Sequence, residues 1–241
     1  MIVIVGAGGF LGYSLSRYFS FGKVKFATVS RSFQWPRLLF EERFVGNASS
    51  AISFFNSIDD DLTFLYMAGS PNLFLAEKDP HHDLSLHLNE LRGFLEIFSK
   101  QSCNLKKFIF FSSGGTVYGD SHGVAKTEDS ALCPKSSYGQ RNVALEKLVV
   151  SSSRSSGVPC SIFRVTNPFG PGQYRFRRRG LIQALFDSAY SGQKVLIRAN
   201  GRQKRDYIYS ELLCVMVNSI LQLDSLPQVV NIASGFSYTA R

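Results

Sequence analysis

The sequence predicts a doubly wound α/β protein on a parallel sheet, and three observations carry that prediction. The chain opens on a continuous β-branched run, Ile2, Val3, Ile4 and Val5, that passes straight into glycines at 6, 8, 9 and 12. A parallel strand covered on both faces reads as such a run rather than as an alternation. Strand-like and helix-like segments then alternate to the end of the chain, the pattern of βα units joined by right-handed crossovers. Finally, 241 residues with 44% hydrophobic and 19% charged side chains suffice for one sizeable core and a small second lobe.

The first unit joins a strand at 2–5 to a helix at 11–20. Between them the spacing G-x-x-G-x-x-G is that of a turn built for a pyrophosphate. Gly6 makes the turn, Gly9 lets phosphates approach the backbone, and Gly12 lets helix and strand pack closely. A second strand is expected at 24–29 and a helix at 48–57, followed by a strand at 62–67 through Leu62, Phe64 and Leu65 and a helix at 83–101. The run Phe108 to Phe111 centres a strand at 107–112, and Ile162, Phe163 and Val165 one at 160–165, with a helix at 137–155 between them. Helices at 179–191 and 209–222 and a strand at 228–232 complete the order. Ligands of such a sheet bind at the carboxyl ends of its strands. The irregular, Arg- and Gly-rich stretch from Asn167 to Lys204 reads as an excursion from the sheet that carries substrate contacts. Residues 1–167 are therefore expected to bind a dinucleotide, and 168–241 to contact substrate and return to the sheet.

Charge and composition narrow the partners. The net charge of +9 draws on Arg175, Arg177, Arg178, Arg179, Arg198, Arg202, Lys204 and Arg205. These flank loops rather than line one helix face with interleaved aromatics, which suits a nucleotide diphosphate and argues against nucleic acid. The N-terminal apolar run has no charged region before it, and no stretch approaches the ~18 uninterrupted apolar residues of a membrane span, so a cytoplasmic protein without a membrane partner is expected. Cys103, Cys133, Cys160 and Cys214 are scattered, without C-x-x-C or zinc-ligand spacing, and read as buried free thiols. His81, His82 and His87 read as surface residues, and no metal is expected.

After the second strand the chain reads Val29, Ser30, Arg31, where an NAD-specific site carries Asp or Glu for the ribose 2′-hydroxyl. The missing acid and the added guanidinium suit a 2′-phosphate; alternatively Arg31 stacks on adenine, so the cofactor is read as NAD or NADP. Asn47, after Phe44, Val45 and Gly46, either meets the adenine edge or closes a turn.

Further along, KFIFFSSGGTVYG from Lys107 to Gly119 ends a strand in hydroxyls and glycines, and Tyr138 opens a helix as YGQRN. With Asn89 in LNELRGFLEIF, RVTNPFGPGQ from Arg164, NGRQKRDYIY from Asn200 and VNIASG from Val230, these segments cover nearly the whole chain in order. They resemble the extended short-chain dehydrogenase/reductase family, in particular its nucleotide-sugar epimerases and dehydratases. The resemblance implies a Rossmann sheet with a small, incomplete C-terminal substrate lobe, because the chain stops at Arg241 where the family continues. It implies NAD or NADP held by Gly6, Gly9, Phe10, Leu11, Gly12, Ser30, Arg31, Asn47, Ala68, Tyr138, Asn142 and Pro168, and a nucleotide sugar held by Asn167 and Arg205. Asp206 would orient Arg205 or its loop.

The same resemblance makes Tyr138 the base that takes a proton from a sugar hydroxyl while hydride leaves C4, with Thr116 or Ser113 sharing that proton. Three positions depart from the family. Asn142 replaces the lysine that lowers the tyrosine's proton affinity, Gly114 replaces a Ser or Thr, and Leu212 replaces the second acid after RDYIY. An unassisted phenol near pKa ~10 is only about one part in a thousand ionised at pH 7. Arg141, three residues after Tyr138 and roughly 60° around the helix, is placed to supply a charge. The implied activity is UDP-hexose 4-epimerisation, with a 4-keto-sugar reductase or a non-catalytic dinucleotide binder as alternatives. A homodimer through the helices at 83–101 and 137–155 is expected by the same resemblance.

Overall fold

A computed structural model of the chain describes residues 1–240 except 34, 48, 70–72, 100–103, 122, 177–179, 193 and 198–200. In chain order the strands are β1 (Ile2–Val5), β2 (Phe26–Ser30), β3 (Glu41–Val45), β4 (Leu62–Tyr66), β5 (Leu105–Ser113), β6 (Cys160–Val165), β7 (Asn167–Phe169), β8 (Arg205–Tyr209), β9 (Val229–Ile232) and β10 (Ser237–Tyr238). The helices are α1 (Phe10–Phe21), α2 (Ile52–Asn56), α3 (Leu73–Lys78), α4 (Pro80–Ser99), α5 (Gly114–Val117), α6 (Ser137–Ser156), α7 (Leu181–Ser191) and α8 (Ser210–Leu221). Seven strands form one parallel sheet in the order β3-β2-β1-β4-β5-β6-β9. Strand order reverses between β1 and β4, which pair from Ile2 against Thr63 to Val5 against Tyr66, and the crevice beyond their carboxyl ends is where a doubly wound sheet binds ligand.

Alternating side chains of each strand feed two cores. Val3 and Val5 pack with Phe55, Phe64, Phe94 and Phe108 under α2, α4 and α6; Ile4 packs with Leu15, Phe19, Ile109 and Phe163 under α1 and α8. The first core is bound by aromatic edges: Phe55 meets Phe64 at 4.8 Å and 90°, and Phe64 meets Phe94 at 5.2 Å and 76°.

Two features depart from the sequence expectation. β3, EERFV, was hidden by its charges; the Glu41 carboxylate is buried there, accepting from Arg43 Nη2 at 2.8 Å, the Leu38 N–H at 2.8 Å and the Thr28 hydroxyl. The excursion after Asn167 carries regular structure where it is described: β7, β8 and β10 make a second, three-stranded sheet, and α7, starting after Gly180, lies between β7 and β8 in the chain. The thiols also differ from expectation. Cys214 is buried, and burial pushes its thiol up to about 12, but Cys160 is half-buried and Cys133 exposed. Cys103, Arg177, Arg178, Arg179 and Arg198 lie outside the described residues. Among the described residues no helix is long and apolar enough to cross a membrane.

Candidate active site

The glycine turn is built as its spacing predicts. Gly6 holds φ +85°, and a Cβ there would stand 2.6 Å from the Ala68 nitrogen, so Ala68 at the end of β4 closes directly on the turn. A Cβ on Gly12 would stand 2.5 Å from Ala7 Cα, fixing how closely α1 approaches β1. Gly9 differs, since its Cβ would meet nothing nearer than the Gly6 carbonyl at 3.6 Å. The protein itself does not require glycine there, and the space in front of it is open. Gly9 caps α1, whose Leu11 and Gly12 amides precede the first i to i−4 bond, the Tyr13 N–H to the Gly9 carbonyl at 2.9 Å, and no acidic side chain stands in the first turn. Open space over a glycine, amides without intrahelical partners and the positive end of a helix together fit a pyrophosphate.

The flank of this turn is more committed than expected. The Ser30 hydroxyl donates to the Ser32 carbonyl at 2.9 Å and lies against Gly8, where a Cβ would come within 2.3 Å of it. Arg31 is 74% exposed along its side chain and pairs at long range with Glu90, its Nη1 3.9 Å from Oε1. Asn47 uses its Oδ1 to accept from the Ser50 N–H at 2.7 Å, a turn-closing bond that leaves its NH₂ unspent by that contact.

At the carboxyl end of β5, Ser113 leads into the single turn α5, where Thr116 Oγ1 lies 3.4 Å from the Ser113 carbonyl. The first turn of α6, carrying Tyr138, docks on this segment through Gly139, at which a Cβ would stand 2.8 Å from the Thr116 carbonyl. The turn that carries Tyr138 is thus packed against the segment that carries Thr116. Gly114 has no room for a larger residue: its Cβ would stand 2.8 Å from the Arg164 carbonyl of β6. Asn167 reaches the same segment, since a Cβ on Gly115 would be 3.5 Å from its Oδ1, and its amide donates to the Asp206 carbonyl at 2.7 Å. Pro168 follows in β7, its carbonyl accepting from Gln173 at 3.3 Å. Arg205 opens β8 and bonds Gln203 Oε1 at 2.9 Å. Asp206 accepts from Thr166 Oγ1 and from the N–H groups of Ser234 and Gly235 at 2.8–3.0 Å, a clamp on the loop after β9. Beside β8 lies an apolar cleft of about 490 Å³ between α7 and the second sheet, lined by Phe169, Leu181, Leu185, Tyr207, Tyr209 and Phe236. None of its lining residues belongs to the Tyr138 segment.

Around α6 the structure adds residues that the sequence reading left out. The helix starts with Ser136 accepting from the Gly139 N–H at 3.1 Å, and Glu77 of α3 accepts from the Ser137 N–H at 2.9 Å and its hydroxyl at 3.1 Å. Asn142 is buried and donates to the Tyr138 carbonyl at 2.9 Å. Arg141 is not solvent-facing: it is 4% exposed, its Cζ lies 4.7 Å from the Tyr138 ring centroid, and Nη1 donates to both Asp83 oxygens at 3.0 and 2.8 Å. His87, read from sequence as a surface residue, is buried, its two nitrogens 3.5 Å from Asp83 and 3.6 Å from Glu90. The contact with His87 holds the Glu90 carboxyl below the usual carboxylate range, against its desolvation. Asp83, His87 and Glu90 recur at i, i+4 and i+7, and that spacing on a helix was the available signal that they share a face.

An open glycine turn at the switch point of a parallel sheet, with a tyrosine on a helix docked against a hydroxyl-bearing strand end, defines a dinucleotide-binding protein of the doubly wound class. The chain belongs to the NAD dependent epimerase/dehydratase family, whose model matches residues 2–233. It is similar to the dTDP-4-dehydro-6-deoxyglucose reductase of Escherichia coli, at 33% identity over 136 residues, 56% of this chain and 43% of that protein. The fold matches the UDP-glucose 4-epimerase of Thermotoga maritima, crystallised with UDP-glucose, at TM-score 0.85 and 21% identity over 99% of this chain and 78% of that one. The Thermus thermophilus UDP-glucose 4-epimerase in complex with NAD matches at TM-score 0.84 and 21% identity, covering 99% and 79%. The chain spans about half the length of the curated relatives it matches.

Proposed function

We propose that the chain carries the dinucleotide site and the reacting tyrosine of a nucleotide-sugar 4-epimerase acting on a UDP-hexose. The observation that carries this reading is the docking of the first turn of α6, through Gly139 beside Tyr138, on the Ser113–Thr116 segment at the carboxyl edge that also bears the glycine turn. Bound NAD or NADP supplies the hydride acceptor. The amides of α1 hold its pyrophosphate, with Gly9 allowing close approach. The Tyr138 phenol takes the proton of the sugar hydroxyl, and Thr116, with Ser113 beside it, shares that proton through its own hydroxyl. Asn142 fixes the first turn of α6 through the Tyr138 carbonyl rather than by charge. Arg205 suits the substrate diphosphate, which guanidinium geometry grips in bidentate fashion, and Asn167 sits between β8 and the hydroxyl segment where a bound sugar would reach.

The test is incubation with NAD or NADP and a panel of UDP-hexoses from pH 7 to 10, following C4 epimers by chromatography. Interconversion supports the reading, and none at any pH overturns it. A second reading, reduction of a 4-keto sugar by NADPH, is favoured by Arg31 standing where an acid would exclude a 2′-phosphate and by the similarity to the Escherichia coli reductase. NADPH oxidation on a 4-keto nucleotide sugar separates it. Gly114 and Asn142 favour a third, in which the site binds dinucleotide without chemistry; uptake of cofactor with both assays blank is its signature.

A further inference from the structure

The α4 face packed on α6 holds a line of charge ending at Tyr138. Arg141 lies against the phenol ring, both oxygens of Asp83 receive its Nη1, and His87 stands behind Asp83 with Glu90 behind His87. Asp83 and Arg141 are 9% and 4% exposed, so their charges act on each other and on the ring with little screening by water. A guanidinium on a ring face attracts the ring and favours its ionised form; a carboxylate bound to that guanidinium offsets the second effect while preserving the first.

We propose that Asp83 is a positioning residue for Tyr138: it clamps Arg141 against the phenol ring and, by neutralising it, sets how readily the phenol releases its proton. The proposal rests on Tyr138 being the reacting base. Among the described residues, the other charged or titratable groups set around this turn are few. They are Glu77 of α3, bonded to Ser137, His87 and Glu90 of α4, and Arg31 after β2, paired with Glu90. Lys135 on the preceding loop is paired with Asp120, and Glu146 two turns down is paired with Arg164. From α5 the Thr116 carbonyl approaches Gly139, and Ser113 and Thr116 on that segment carry no charge.

Two substitutions therefore move the phenol in opposite directions. Asp83→Asn keeps the shape and an acceptor for Arg141 but leaves the guanidinium unbalanced, so the titration midpoint of Tyr138 moves to lower pH by about one to two units. Arg141→Gln leaves Asp83 unbalanced, and the midpoint moves to higher pH by a similar amount. Arg141→Lys retains the charge and returns the midpoint toward that of the unsubstituted protein. The readout is NMR of protein labelled with ¹³C at the tyrosine ring carbon bearing oxygen, with the Tyr138 signal assigned by its loss in Tyr138→Phe. It is titrated from pH 6 to 11 without substrate, so that it reports whether or not the protein turns over a sugar. Repeating Asp83→Asn on a His87→Gln background removes the imidazole as the source of the shift. Opposite shifts in the two variants support the proposal. If either folded variant leaves the midpoint unmoved while only lowering thermal stability, the pair is a structural strut and the proposal falls. Each variant decides alone should the other fail to fold.

Discussion

Replacing Glu146 by Ala tests what holds the floor of the site. Arg164 in β6 is 5% exposed, and its Nε and Nη2 donate to the Glu146 carboxylate at 2.8–3.3 Å, while Nη1 donates to the Tyr118 hydroxyl at 2.9 Å and the Glu128 carbonyl at 3.2 Å. Glu146 also receives the Ser112 hydroxyl. Desolvation would push the Arg164 proton off; the hydrogen bonds to Glu146 and Tyr118 outweigh it and hold the guanidinium above its ordinary range. With alanine at 146, a buried cation keeps two of its partners and loses its counter-charge, which costs about 3–5 kcal/mol. A chain of this size shifts its midpoint by about 2–4 °C per kcal/mol, so melting should fall by roughly 6–20 °C. Because the pair ties β6 and α6 to the strand end that carries Ser113, cofactor affinity should weaken with it. The assay is urea unfolding and thermal melting, with the double variant Glu146→Leu, Arg164→Met as control. That variant should recover much of the loss, since a packed apolar pair replaces a buried ionic one at little cost. A Glu146→Ala protein within about 1 kcal/mol of the parent would refute the reasoning.

Gly9→Ala should melt like the parent yet bind NAD and NADP at least tenfold more weakly in calorimetry. Gly12→Ala should lose stability outright, because its Cβ would stand 2.5 Å from Ala7 Cα; equal melting of the two variants would contradict this division of labour. Glu90→Gln should be less stable than the parent at pH 7, because a carboxyl whose folded value is depressed by His87 contributes stability above its unfolded value. That advantage should close as pH falls below about 4, and a gap that stays constant from pH 7 to pH 3 in denaturant melts would show that charge is not its origin.

The centre of the sheet was legible because β1 and the middle of β5 are apolar runs; IVIV and IFF declare themselves. β3 was not, because EERFV looks solvated until Glu41 is seen to be buried, neutralised by Arg43 of the same strand and hydrogen-bonded by Thr28 from the neighbouring one, a partner outside the local window. The second sheet was hidden for a related reason. β7 and β10 are three and two residues long and acquire meaning only by pairing with β8. In the site, glycine spacing predicted where the chain must come close to itself, and positions 6 and 12 do so, whereas Gly9 meets nothing nearer than 3.6 Å. Spacing along one helix also placed Arg141 beside Tyr138, but only tertiary packing could bring Asp83 from 58 residues away and turn the arginine inward.

That inward turn bears on whether the departures at 114, 141 and 142 are losses or a rearrangement. A site drifting out of use would leave a solvent-facing arginine at 141, since burying an ion pair is at best neutral for stability and often worse than an apolar pair of similar volume. Instead Arg141 is buried, paired with Asp83 and laid on the face of Tyr138, while Asn142 gives up charge and serves the helix backbone. The positive charge of this turn thus sits over the Tyr138 ring, at Arg141. Gly114 gives up its hydroxyl to the close approach of β6, and Thr116 and Ser113 remain on the segment against which Tyr138 docks. The buried Asp83–Arg141 pair laid on the ring of Tyr138 is the arrangement through which Asp83 is proposed to act on the phenol.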